Sequence, residues 1–174
     1  MCDQKYILEN QESFELEDIF ECGQCFRWYK QEDKSYTGVV ENSVINVKKD
    51  GNRITFSGYS KDNNFEEIIR EYFDLNTNYT ELKNKLSNID NNLKIATRFG
   101  SGLRILNQDL WECIISFIIS ANNNIPRIRN IIEKMSKRYG KEICWKGKKY
   151  YTFPTVEDLS KVSVKDLREI RFRF

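Results

Sequence analysis

Along the first sixty residues apolar and polar positions alternate, and short runs rich in β-branched and aromatic residues are separated by turn formers. The runs CFRWY, SYTGVV, SVINVKK and RITFSGY have the period of two that half-buried strands require. The Asp50-Gly51 step predicts a tight hairpin between the last two runs, and Glu41-Asn42-Ser43 predicts the turn before them. The period then lengthens. Phe65, Ile68, Ile69, Tyr72 and Phe73 fall on one face of a helix, which Asp62 or Asn63 is placed to cap. Shorter helices are predicted through TELKNKL and through NNLKIATRF, the second ended by Gly100. DLWECIISFIIS is apolar on nearly every side, the pattern of a helix buried in the middle of a domain. IPRIRNIIEKMSKRYG follows, with Pro126 in the first turn and Gly140 at the far end. EICWKGKKYYTF reads as a small hairpin around Lys146-Gly147. Thr155 and Ser163 each open a short closing helix.

Strands first and helices after predict an α+β fold, or a sheet domain followed by a helical one. The change of pattern places the boundary near residues 100–108, dividing the chain into 1–104 and 105–174. With 174 residues, 40% hydrophobic and 13% aromatic, the chain can bury a core. Formal net charge is +2, from 28 basic and 26 acidic residues, which neither demands nor excludes a nucleic-acid partner. There is no histidine, so a Ser-His-Asp hydrolase and a His-built metal site are excluded. Cys22 and Cys25 form a Cys-x-x-Cys pair. The strand-like FRWY that follows is the wrong context for a redox motif, and no second pair completes a zinc site. An odd cysteine count, with no signal peptide, predicts reduced thiols in a cytosolic protein. The apolar run around WECIISFII is too short to span a bilayer.

One polar turn stands out. In SANNNIPRIR, an asparagine can cap the helix that Pro126 begins, while the others fill a turn. The same groups can also touch nucleic acid. A helix N-terminus seats phosphate, an asparagine amide matches a base edge, and Arg127 and Arg129 can fork onto phosphate or base oxygens. In GQCFRW, Gly23 permits a positive φ or close backbone approach, with Phe26 and Trp28 expected on one strand face and Cys25 and Arg27 on the other. The basic residues of KRYGKEICWKGKKYY interleave with aromatics, which suits nucleic acid and a solvated hairpin equally. Glu66, Glu67, Glu157 and Asp158 are expected on exposed helix turns, and Asp109 and Glu112 in the first turn of the apolar helix.

GQCFRW, REYFDLN and LNQDLWECIISFIISANNNIPRIRNIIEKM, in that order, resemble the 8-oxoguanine DNA glycosylases of the helix-hairpin-helix superfamily. The resemblance runs from about Phe14 to Arg168. It implies an N-terminal antiparallel sheet domain with flanking helices, a half of the TATA-binding-protein type, followed by the start of an all-α glycosylase domain. It further implies base-excision repair of duplex DNA carrying 8-oxoguanine opposite cytosine, by a monomer without cofactor or metal, in the cytoplasm and on the nucleoid if the source is bacterial. The flipped base would enter a pocket, and an active-site lysine would cut the N-glycosidic bond through a Schiff base, followed by β-elimination. Gly23 matches the glycine whose carbonyl accepts the N7–H that distinguishes 8-oxoguanine from guanine. Asn122 matches the asparagine that fills the space left by the flipped base, and Arg127 the arginine that bonds the estranged cytosine. Phe174 aligns with the aromatic that wedges into the duplex, while Arg173 stands where the family has glycine. The helix-hairpin-helix, its catalytic lysine and the downstream aspartate have no counterpart in these residues. The chain is therefore read as a truncated N-terminal portion, without catalytic residues and inactive as it stands. The alternative is a DNA-binding or interaction module without chemistry.

Overall fold

The computed structural model of the protein describes residues 3–170. Arg173 and Phe174 lie outside the described residues, as does the role expected of Phe174. The elements are β1 (Gln4–Leu8), α1 (Leu16–Phe20), β2 (Trp28–Lys30), β3 (Tyr36–Val40), β4 (Ser43–Asp50), β5 (Arg53–Ser60), α2 (Phe65–Tyr72), α3 (Tyr79–Ser87) and α4 (Asn91–Phe99). They continue with α5 (Leu110–Ser120), α6 (Ile125–Tyr139), β6 (Glu142–Trp145), β7 (Lys148–Tyr151), α7 (Val156–Ser160) and α8 (Val164–Glu169).

The first five strands form one antiparallel sheet in the order β1-β5-β4-β3-β2. Two-residue loops set its register. Asp50 pairs with Arg53 around Gly51, whose φ of 56° is the positive value such loops require, and Val40 pairs with Ser43 around Glu41. The inward face carries Trp28, Tyr36, Ile45, Val47, Ile54 and Phe56, and α1 and α2 cover it with Ile19, Phe20, Ile68 and Ile69. Phe20 stacks on Trp28 at 4.4 Å between centroids, and the indole Nε1 donates to Tyr72 Oη at 2.9 Å. Gly38 lies opposite Trp28 in the ladder, where an added Cβ would stand 2.5 Å from the indole.

Several expectations need correction. CFRWY is strand only from Trp28, and its faces do not alternate as predicted: Cys25 and Trp28 enter the sheet core, whereas Phe26 packs in a separate helical cluster. Arg27 reaches sideways to α5 and β7, and the residues before Trp28 are not strand. Strand β1 and helix α1, each five residues long, were not predicted from the pattern. Asn64, not Asp62 or Asn63, precedes α2. Asn63 takes a left-handed turn at φ 59°, and the Asn64 carboxamide is engaged by Ser60 instead of capping. Finally, α5 is not buried on all sides: only Ser116 and Ile119 are buried, and Phe117 is 78% exposed.

The helical part has its own cluster, Ile119, Ile128, Ile131, Ile132, Met135 and Ile170. Its hairpin β6–β7 turns through Lys146 and Gly147, both at positive φ, and returns to the outer face of the sheet, where Ile143 packs on Val39 and Val44. Two of the lysines of that basic stretch are engaged in ion pairs. Lys149 pairs with Glu142 and Lys146 with Asp3.

Candidate nucleic-acid interface

The three asparagines between α5 and α6 do different work. Asn123 turns inward and donates from Nδ2 to the Ile119 carbonyl at 2.7 Å, closing the end of α5. Asn124 is the N-cap of α6, its Oδ1 accepting the Arg127 amide at 3.0 Å. Asn122 sits between them at φ 56°, a left-handed conformation that asparagine tolerates better than most residues. Its side chain is exposed and makes no hydrogen bond among the described residues. Two asparagines hold the turn, and the third is presented by it.

One turn further, the Arg127 guanidinium is exposed and joins no ion pair among the described residues. Its neighbour Arg129 is committed: Nη2 lies 3.8 Å from Glu21 Oε2. Arg127 and Asn122 thus flank the positive end of the fifteen-residue α6, where amide donors and the helix dipole favour an anion.

Gly23 lies in the loop between α1 and β2, exposed and at φ 85°, with open space where a Cβ would stand. The loop is fixed by its neighbour. The Gln24 carboxamide donates to the carbonyls of Ile19 (2.8 Å) and Arg104 (2.9 Å) and accepts the Leu106 amide (3.0 Å). Gln108 donates to the Gln24 carbonyl at 2.6 Å. The loop also meets α6, through Glu21 with Arg129, Tyr29 Oη with Glu133 at 3.2 Å, and Phe26 in the helical cluster. Glu21 was not singled out in the sequence, because its partner Arg129 lies far along the chain, whereas Phe26 was expected on a strand face and packs with the helices instead.

Arg27 and Glu112 form the other tie between the two parts. Arg27 is 5% exposed, pairs through Nη1 with Glu112 at 3.3 Å and donates through Nη2 to the Tyr151 carbonyl. Glu112 therefore does not simply serve its helix, as expected. Asp109 does, accepting the Glu112 amide at 2.8 Å. Burial pushes the Glu112 carboxyl above its usual range although Arg27 pulls it down. Cys22 and Cys25 are both free. Burial, then the Cys22 charge, pushes the Cys25 thiol well up, leaving it protonated and inert. Among the described residues no cluster of His, Cys, Asp or Glu is placed to hold a metal, and no helix is long and apolar enough to cross a membrane.

A five-stranded antiparallel sheet backed by helices and followed by further helices is an architecture shared with DNA glycosylases of known structure. The 8-oxoguanine glycosylase/lyase of Clostridium acetobutylicum in its apo form superposes with a TM-score of 0.89 at 45% identity, over 95% of this chain and 57% of that one. The same enzyme in complex with double-stranded DNA containing cytosine opposite 8-oxoG gives 0.90 at 43% identity, over all of this chain and 61% of that one. The N-glycosylase/DNA lyase of Saccharomyces cerevisiae is 30% identical over 173 residues, 91% of this chain and 46% of that protein. A family profile described as "8-oxoguanine DNA glycosylase, N-terminal domain" matches residues 6–114. The chain belongs to that family. It spans about half the length of the curated relatives it matches.

Proposed function

We propose that these residues form the DNA-reading part of an 8-oxoguanine DNA N-glycosylase with associated AP lyase activity, acting in base-excision repair. In this reading the Gly23 carbonyl accepts the N7–H of the extruded 8-oxoguanine, Asn122 fills the vacated space in the duplex and Arg127 bonds the estranged cytosine. Residues 1–104 are the sheet domain and 105–174 the start of the helical glycosylase domain. A monomer working without cofactor, in the cytoplasm or on the nucleoid, completes the reading. The observation that carries it is Asn122, the one asparagine of the triplet that the fold leaves unengaged and exposed.

No lysine in these 174 residues matches the family's nucleophile, so the polypeptide is expected to bind without turnover. Binding to duplexes with 8-oxoguanine or guanine opposite cytosine tests the reading. The damaged duplex should be preferred, and affinity should fall with salt. Arg127→Ala should cost about 1–3 kcal/mol of preference for cytosine opposite the lesion. Equal affinity for both duplexes would sink it, and a covalent adduct on borohydride reduction would mean that a lysine here does act.

A further inference from the structure

A polar cavity of about 320 Å3 opens on the side of the molecule formed by the loop after β1 and the start of α3. Its lining includes Asn10, Gln11, Ser13, Thr77, Asn78 and Thr80. Arg104 is the one cation among the lining residues and the exposed Glu12 the one acid. Arg104 is 4% exposed. Its Nε donates to the Phe73 carbonyl at 3.0 Å and its Nη2 to the carbonyls of Asp74 (2.6 Å) and Thr77 (3.3 Å). The guanidinium lies 4.2 Å from the Tyr79 ring centroid. Yet no carboxylate among the described residues lies in ion-pair range of it. Nη1 makes no hydrogen bond among those residues either, and it is not sealed from solvent. The nearest acid behind it, Asp74, is occupied by Tyr79 Oη and Thr77 Oγ1, both at 2.9 Å. A buried cation whose partners are all neutral is an unusual expense, because burial penalises its charge. Accordingly burial holds Arg104 below its ordinary range, while Tyr79 and Asp74 pull the other way.

The same cavity receives the N-terminus of α3, a nine-residue helix whose Glu81 amide is taken by the Asn78 cap and whose Tyr79 and Thr80 amides stand at the positive end of the dipole. Hydroxyls stand beside them, Ser13 Oγ and Thr80 Oγ1 lying 3.0 Å apart. A half-bonded guanidinium, helix amides and hydroxyls around one polar space are the donors a tetrahedral oxyanion takes. We propose that this cavity is an anion site for a phosphate group, held by Arg104 Nη1 and the first turn of α3. The proposal is independent of the reading of Asn122 and Arg127, because a free phosphate ion needs neither. The phosphate can be inorganic or belong to a duplex backbone, and the chemistry of the site is the same.

Amide resonances of Thr77, Asn78 and Thr80 in the full 174-residue chain, titrated with inorganic phosphate at constant ionic strength, provide the test. Saturable shifts confined to this cavity are expected, with chloride producing none. Replacing Arg104 would loosen the turn it props, so two milder variants decide. Thr80→Glu suits a first helical turn but places a like charge at the mouth, and should weaken phosphate about tenfold. Glu12→Gln should tighten it severalfold. A short undamaged duplex distinguishes the sources: shifts at these amides with duplex and not with free phosphate assign a backbone phosphate, and the reverse assigns the free ion. Shifts that do not saturate, or that both variants leave unchanged, overturn the site.

Discussion

The sheet part and the α5 face are built from similar residues and end in opposite states. In the sheet part, Phe14, Phe20, Trp28, Phe56, Tyr72 and Phe73 meet in one aromatic cluster, closed above by α1 and α2. In α5, Leu110 is 73% and Phe117 78% exposed, with Ile114 and Ile118 beside them also in solvent. Apolar content alone therefore says little about burial; what decides is whether a covering element is within reach. Stability in the described residues rests on the sheet, whereas the α5 face is an apolar patch of the kind that normally meets another surface.

The contrast can be broken from either side. Phe73→Ala should be the most damaging change, at about 3–5 kcal/mol in a denaturant titration, because Phe73 is fully buried among five other aromatic rings. Arg27→Met comes next, about 3 kcal/mol near neutral pH, because it leaves Glu112 and the Tyr151 carbonyl without their partner. Its pH dependence sharpens the point. The folded state already raises the Glu112 carboxyl above the ordinary 4.5, so the native state binds more proton than the unfolded one. That contribution is favourable below the unfolded value and is lost as pH rises through the folded one. Without Arg27 the carboxyl should rise further, so the variant should lose more stability at pH 7 than at pH 4. An equal loss at both would refute the account. Phe117→Ser should change stability least, within about 0.5 kcal/mol, while lowering self-association measured by light scattering.

Much of this was legible in the sequence where the signal is local. The Gly51 and Lys146-Gly147 hairpins, the buried face of α2 and the capping boxes of Thr155 and Ser163 all follow from residues within a turn of each other. The asparagine triplet was legible as a turn, and only the family resemblance singled out Asn122 within it, because local spacing does not show that Asn123 reaches back to Ile119. Phe26 and Cys25 were assigned to the wrong neighbours, since period-two reasoning assumes a strand, and the strand begins only at Trp28. A continuous apolar run does not by itself say whether its partners are at hand, and the exposure of the α5 face followed only from reading the chain as an N-terminal portion, which leaves that face poorly covered. The bracing role of Gln24 was not legible beyond its place in GQCFRW, as two of its three carboxamide bonds reach residues far along the chain.

The trade of side chains between the sheet and the helices that follow it carries a practical meaning. Leu106 completes the core of the part that precedes it, Phe26 completes the cluster that follows, and Ile143 covers the back of the sheet. A gene cut between the two parts would strip each of a wall that the other provides. Reciprocal lending of this kind ties the two parts together, and the Trp145 indole adds a link from the hairpin to Asp3 beside β1.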